Sequence, residues 1–307
     1  MPIYLLGSRT ASVDIPDQRV SISISGPVEG ATLYADATDQ QNVVQINPHA
    51  ILAPAITEQV TVRVEPNDMA TFDHGTIVHL TIRCGSRAES DPVQVRFDPI
   101  NVSGCGTMEL VSLTPRHGHI SVALRAVPDV PLSPLASMAR TAARRIAGSH
   151  RSPQGGSLSI AIDTSASMKR AFDDGSVVAA IDAVIGVANT VSIRAVTAML
   201  VGARCIPIEA STAELAQVVA HTPVRWSAGT RWSLLSDAEH TLVITDSMKF
   251  VDNQQFPAVC VSYDTKFPTP VPVLSAPPDG MDAGQYLSAN PTLVDEFAAA
   301  LLPVLTT

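Results

Sequence analysis

Aromatic residues are scarce in this chain: they make up 4% of its 307 residues, whereas hydrophobic residues make up 46%. A hydrophobic core must therefore be built from aliphatic side chains, which predicts closely packed layers of Val, Ile, Leu and Ala. The length is about twice that of a typical single domain, so the chain is predicted to contain two domains.

Clusters of basic residues are also rare. The formal net charge is −9, and binding to nucleic acid phosphates requires Lys and Arg grouped on one surface. DNA and RNA are therefore not expected partners. The one locally basic stretch lies between residues 131 and 157, and it holds four arginines and no acidic residue.

The chain has no apolar run of the length that a membrane span requires. The most apolar stretch, 183–208, is interrupted by Asn189, Arg194 and Arg204. The first residues, 1–7, lack the basic start and the long apolar segment of a secretory signal. We therefore expect no membrane span and a cytoplasmic location.

Four cysteines, Cys84, Cys105, Cys205 and Cys260, show no CxxC spacing. Unpaired cysteines are often buried, so this pattern favours buried free thiols. A disulfide between Cys84 and Cys105 is the open alternative.

The first 130 residues are predicted to form an all-β domain, with a β-sandwich as the expected architecture. Apolar and polar residues alternate with the period of half-buried strands at 20–24, 60–64, 77–82 and 93–97. Pro and Gly residues separate these segments at short intervals, and no convincing helix is present.

Residues 131–156 are predicted to form a helix followed by a flexible linker. Ser133 is suited to cap a helix that begins at Pro134. Five apolar residues then follow helical spacing: Leu135, Met138, Ala139, Ala142 and Ile146. Three arginines lie away from this stripe: Arg140, Arg144 and Arg145. The pattern favours a docking helix between domains over a basic helix that contacts an acidic partner or a membrane surface, and residues 148–156 are typical of a flexible join.

Residues 157–307 alternate strands with helices. Strands are predicted at 158–162, 193–202, 204–208, 241–245 and 258–262, and helices at 177–189, 211–220 and 291–302. This order predicts a Rossmann-like α/β domain with a mostly parallel sheet covered on both faces. Ligands of such sheets bind at the carboxyl ends of the strands.

Oxygen-bearing side chains follow the first strand of this half. Asp163, Ser165 and Ser167 occupy alternate positions directly after it, in the sequence Asp-Thr-Ser-Ala-Ser. One carboxylate and two hydroxyls in a tight loop suit a hard cation such as Mg²⁺. Thr230 follows a glycine before a helical turn, and Asp246 stands at the end of a central strand.

In these motifs residues 157–307 resemble the von Willebrand factor A (vWA) family. Its members carry a DxSxS loop after the first strand, a Thr after a glycine, and an Asp in a TDG-like turn. The resemblance implies that a metal-ion-dependent adhesion site (MIDAS) is formed by Asp163, Ser165, Ser167, Thr230 and Asp246, with Mg²⁺, Mn²⁺ or Ca²⁺ as the ion. Ser165 and Ser167 would coordinate it directly. Ser247, after the second Asp, and Ala228 replace glycines that are common in the family.

The resemblance further implies a metal-dependent protein-interaction module, an adaptor without enzymatic activity. An Asp or Glu of another protein would fill the open coordination position of the ion. By family analogy the partner would be an AAA+ ATPase or a stress-response component. Two alternatives are open: a Mg²⁺-dependent phosphoester hydrolase, with Lys169, Arg170 and Arg231 as the basic residues beside the motif, or a structural protein whose metal site docks no partner.

Other motifs carry less weight. The chain has no GxSxG, P-loop or GxGxxG sequence, so Ser165 and Ser167 are not expected to be nucleophiles. His117 and His119 are either half of a metal site or, as we favour, two solvated residues of a turn. Trp226 and Trp232 flank Thr230, where they would line the metal face or pack in the core.

Overall fold

The structure is a computed structural model that describes residues 2–7, 9–38, 41–85, 92–126, 131–148, 156–235, 241–247, 256–264 and 271–306. The chain divides into two compact units, Met1–Val130 and Pro131–Thr307. Each has a hydrophobic core of its own.

The first unit is built from strands. They are β1 (Ile3–Leu6), β2 (Ser12–Pro16), β3 (Val20–Ser25), β4 (Ala31–Asp36), β5 (Val44–Asn47), β6 (Ala50–Ala53), β7 (Val60–Pro66), β8 (Ile77–Cys84), β9 (Val93–Phe97), β10 (Ile100–Asn101), β11 (Met108–Arg116) and β12 (His119–Leu124). One sheet has the order β1-β9-β8-β3-β6-β5, with β10 on β8, and the other has the order β2-β12-β11-β7-β4.

The alternating pattern of these strands buries one face of each sheet. In β3, Val20 and Ile22 are fully buried, and Val60 and Val62 are buried in β7 of the other sheet. All four belong to one hydrophobic cluster that spans both sheets. The prediction of an all-β first unit is confirmed for its described residues, and the shared core of two sheets is typical of a β-sandwich.

The second unit is mixed α/β. Its elements are α1 (Pro134–Ala147), β13 (Gly156–Asp163), α2 (Lys169–Asp173), α3 (Ser176–Thr190), β14 (Ile193–Val201), β15 (Cys205–Ile208), α4 (Leu215–His221), β16 (Thr241–Thr245), β17 (Ala258–Ser262), β18 (Val273–Ser275), α5 (Ala283–Ala289) and α6 (Pro291–Thr306). The sheet has the order β15-β14-β13-β16-β17-β18. Among the described strands of this sheet only β14 and β15 pair antiparallel, which confirms the predicted mostly parallel sheet.

The described α-helices pack on one face of this sheet. They share a hydrophobic cluster with Leu158, Ile160 and Ile162, which alternate along β13. The opposite face, which includes Ala161 and Val243, packs against Trp232, which begins a short 3-10 helix, and against Leu235 and Phe256. The segments 248–255 and 265–270, which follow β16 and β17, lie outside the described residues, so helical cover of the second face stays a prediction.

Helix α1 packs within the second unit, whereas the sequence pattern favoured a helix that docks between domains. The Ser133 hydroxyl accepts a hydrogen bond from the Ala136 amide at 3.1 Å, which caps the helix as predicted. The helix then packs against both α3 and α6. A Cβ at Gly186 of α3 would lie 2.1 Å from the Ala136 carbonyl oxygen, so a glycine is required for this approach. Residues 149–155 of the predicted join lie outside the described residues.

The arginines of α1 correct the prediction that they lie away from the buried face. Arg140 and Arg144 are only 3% and 8% exposed, whereas Ile146 of the predicted apolar stripe is 50% exposed. The reason is that α1 contacts three helices, α3, α5 and α6, so its buried face is wider than a single stripe. Arg145 is the exposed member of the group and lies 3.6 Å from Asp295 of α6.

Helix length limits what the helices can span. The longest in the second unit, α6, has 16 residues. Among the described residues, no helix is long and apolar enough to cross a membrane.

The cysteines differ in exposure. Cys84 and Cys260 are buried, as predicted, whereas Cys105 and Cys205 are partly exposed. The Cys84 thiol donates a hydrogen bond to the Pro16 carbonyl at 3.1 Å, which satisfies it within the first unit.

Candidate metal centre

The predicted ligands lie where the strand order of the second unit reverses. The strands that follow β13 along the chain, β14 and β15, lie on one side of it, whereas β16, β17 and β18 lie on the other. Connections leave such a point in opposite directions and open a crevice at the carboxyl ends of the strands. Asp163 ends β13 and Asp246 directly follows β16, so both border this crevice.

Asp163 lies at the floor of the site and is only 2% exposed. Its Oδ1 accepts hydrogen bonds from the Ser165 amide, at 2.8 Å, and from the Thr230 hydroxyl. Its Oδ2 accepts a hydrogen bond from the Thr245 hydroxyl at 2.7 Å. These three donors fix the orientation of a buried carboxylate that would otherwise be costly to bury.

A second set of hydrogen bonds connects the remaining predicted residues. The Ser165 and Ser167 hydroxyl oxygens are 3.0 Å apart. Ser167 donates a hydrogen bond to Asp246 Oδ1 at 2.9 Å. Together with the contacts of Asp163, which include the Ser165 amide, these bonds join all five predicted residues in one continuous network.

The loop that holds the two serines is fixed by its backbone. The Thr164 amide and hydroxyl donate to the Val201 carbonyl at 2.9 and 3.0 Å. The Ser227 amide donates to the Thr164 carbonyl at 3.1 Å, and the Ala166 amide donates to the Ser227 carbonyl at 2.9 Å. A Cβ at Gly202 would lie 2.4 Å from Thr164 Oγ1, so close packing of these turns requires glycine there.

Sequence reasoning missed two of these supporting residues. Thr245, which is fully buried, precedes Asp246 and holds the second oxygen of Asp163. A hydroxyl at the carboxyl end of an otherwise apolar strand was the available signal. No comparable signal marked Gly202, because only the contacts in the folded protein show that a side chain at this position would not fit.

Negative charge is concentrated at this site. Burial raises the pKa of the Asp246 carboxyl, and the negative charge of Asp163 raises this pKa further, against the hydrogen bond from Ser167. Burial and the charge of Asp246 raise the pKa of the Cys260 thiol to about 12. A bound cation would relieve the repulsion between the two carboxylates.

The basic residues beside the motif have other contacts. The Arg170 guanidinium lies 2.5 Å from Asp279 and 3.9 Å from the ring centre of Tyr263. The backbone amide of Arg231 donates a hydrogen bond to the Gly202 carbonyl at 3.1 Å, and Arg231 is exposed. Lys169 is also exposed.

The donor set fits a hard divalent cation. It consists of two carboxylates and three hydroxyls, and oxygen ligands of this kind are those that Mg²⁺, Mn²⁺ and Ca²⁺ prefer. Among the described residues, no group of three His, Cys, Asp or Glu side chains is arranged so that it could hold a metal ion by itself. A metal at this site would therefore depend on the hydroxyl oxygens of Ser165, Ser167 and Thr230.

The two histidines of the first unit have local contacts. His117 is exposed, and its carbonyl oxygen lies 3.1 Å from His119 Nδ1. His119 Nε2 lies 3.4 Å from Asp14 on the neighbouring strand β2. Both ring nitrogens of His119 thus have protein partners, which favours a turn residue over a metal ligand.

The tryptophans beside Thr230 differ in their surroundings. Trp226 is 38% exposed, and its ring meets that of Phe172 edge to face at 5.3 Å. Trp232 packs against the small cluster of Ala161 and Val243. Trp232 therefore packs against the core, whereas Trp226 lies at the surface, where a partner could contact it.

Comparison of the chain with protein-family models, curated proteins and solved structures finds no match. The resemblance to the vWA family therefore depends on the five motif residues and on their positions in the sheet.

Proposed function

We propose that the second unit is a vWA-type domain that binds a divalent cation, Mg²⁺ or Mn²⁺, and docks a partner protein through it. The observation that carries this proposal is the hydrogen-bonded network that joins Asp163, Ser165, Ser167, Thr230 and Asp246 at the reversal of strand order. These residues come from three separate segments, so their convergence is a property of the fold.

The burial of the proposed ligands supports an ion that is bound on its buried side and accessible to a partner on its solvent side. Asp163 is buried and Asp246 is partly exposed, whereas Ser167 and Gly229 are exposed at the surface. A cation coordinated by the Ser165 and Ser167 hydroxyls would thus keep a position that a large partner can reach. The two carboxylates neutralise the charge of a divalent ion, which can then bind one more anionic oxygen as a Lewis acid.

The charge of the site favours binding over catalysis. A phosphoester hydrolase needs a basic clamp for its substrate phosphate. Arg170 already contacts Asp279 and Tyr263, and the residues closest to the ion are acids and hydroxyls. We therefore propose that an Asp or Glu side chain of the partner completes the coordination. An AAA+ ATPase or a stress-response component is the partner that family analogy suggests.

Capture of partners tests this function. The immobilised full-length protein should retain specific proteins from a native cell extract in Mg²⁺ and lose them in EDTA. The double variant Ser165→Ala/Ser167→Ala removes both proposed direct ligands and should lose the same proteins in Mg²⁺. Thr197→Ala, which removes an exposed hydroxyl of β14, is the matched control and should retain them. Proteins bound equally in EDTA and by the double variant would show that docking does not use the metal.

A further inference from the structure

A cavity of about 740 Å³ lies beside the proposed metal loop in the second unit. It is lined by residues of α2, α3, α4 and α5 and by the start of α1. Phe172 and Trp226 form an aromatic pair in its wall. Trp226 directly precedes Ser227, which forms a β-bridge with Ser165, so the cavity adjoins the surface on which a partner would dock.

The described charged residues that line this cavity are all acidic, and the others are apolar or uncharged polar residues. The acids are Asp173, Asp182 and Asp282, and no Lys, Arg or His is among the described residues that line the cavity. Asp282 caps α5 by accepting a hydrogen bond from the Gln285 amide at 3.0 Å. Asp182 has a hydrogen bond with Ser133, and its burial raises the pKa of its carboxyl. A cation in the cavity would therefore meet complementary charge.

We infer that this cavity receives an arginine side chain of the partner protein, next to the acid that completes the metal site. This inference rests on the proposed function, which supplies the partner protein that docks at the metal. An arginine fits better than a lysine because the planar guanidinium stacks on aromatic rings such as Trp226 and loses its hydration more readily. Its charge pairs with Asp182, and its aliphatic stem contacts the apolar wall, which includes Val178 and Val224.

Calorimetric titration of the full-length protein with N-acetylarginine amide tests the cavity. N-acetylcitrulline amide, which has nearly the same shape but no charge, is the matched ligand. Both titrations are done in EDTA at constant ionic strength, so the result does not depend on the metal. Saturable binding of the arginine compound is expected, at least about ten-fold tighter than that of the citrulline compound.

Two variants locate this binding. Asp182→Asn keeps the size of the side chain and an oxygen for Ser133 but removes the charge, and Trp226→Leu removes the aromatic face. Each should lower the affinity for the arginine compound about ten-fold. Glu209→Gln, which changes an exposed acid outside the cavity, should leave this affinity unchanged. Equal affinity for the two compounds, or wild-type affinity in both cavity variants, would overturn the inference. Such a failure leaves the metal proposal intact, because capture in Mg²⁺ and EDTA tests that separately.

Discussion

Removal of helix α1 is expected to unfold the second unit at room temperature. A fragment of residues 157–307 lacks Leu135, Ala139 and Ala142, which are at most 5% exposed in the core that α1 forms with α3 and α6. Burial of the apolar side chains of α1 contributes about 5 kcal/mol, at about 0.8 kcal/mol per buried carbon. This equals the whole stability of many domains, which is about 5–15 kcal/mol.

The fragment 131–307, which retains α1, should unfold cooperatively and is the matched control. Both tryptophans of the chain, Trp226 and Trp232, lie in the second unit, so their fluorescence reports its melting. The variant Leu135→Ala of this longer fragment should lose about 2–5 kcal/mol. A fragment 157–307 that melts cooperatively at the temperature of 131–307 would show that α1 is dispensable.

Asp246→Asn is expected to abolish the response to Mg²⁺ while it stabilises the metal-free protein. The pKa of the Asp246 carboxyl is raised in the folded state. The metal-free protein therefore loses stability as the pH rises from the unfolded pKa through the folded pKa, because the folded state must then bury an ionised carboxylate, and this cost is complete above the folded pKa. Asparagine removes this cost and keeps an oxygen for the hydrogen bond from Ser167.

In the wild type, Mg²⁺ at a hundred-fold excess over its Kd should stabilise the fold by about 2.7 kcal/mol. For a unit of this size the melting temperature would rise by about 5–10 °C. Tryptophan fluorescence of the full-length protein with and without Mg²⁺ measures both effects. Asp264→Asn, which changes an exposed acid after β17, should keep the wild-type response. An Asp246→Asn protein that Mg²⁺ still stabilises would place the ion elsewhere.

The sequence predicted those parts of the fold that depend on local pattern. Alternation revealed β3 and β7, and the apolar run before Asp163 revealed β13. The positions of Ser165 and Ser167 followed directly from the end of that strand. In each case the information lies within a few neighbouring residues, because strand period and loop position are local properties.

The long-range contacts of α1 and of the metal loop were not predictable in this way. The apolar stripe of α1 indicates one buried face, but not that the helix contacts three others or that Arg140 and Arg144 are buried. Likewise, Thr245 contacts Asp163 only because β16 pairs with β13. The cavity beside Trp226 is formed by several helices, so no single segment reveals it.

The most direct test of the metal site is the anomalous diffraction of Mn²⁺ in crystals of the protein soaked with MnCl₂. A single strong peak is expected within coordination distance of the Ser165 and Ser167 hydroxyl oxygens, above the carboxylate of Asp163, and it should be absent from crystals of Asp246→Asn. A well-ordered loop with no peak there, or with Mn²⁺ bound only at other acidic residues such as Asp279, would contradict the proposal that this fold is built to hold a divalent cation.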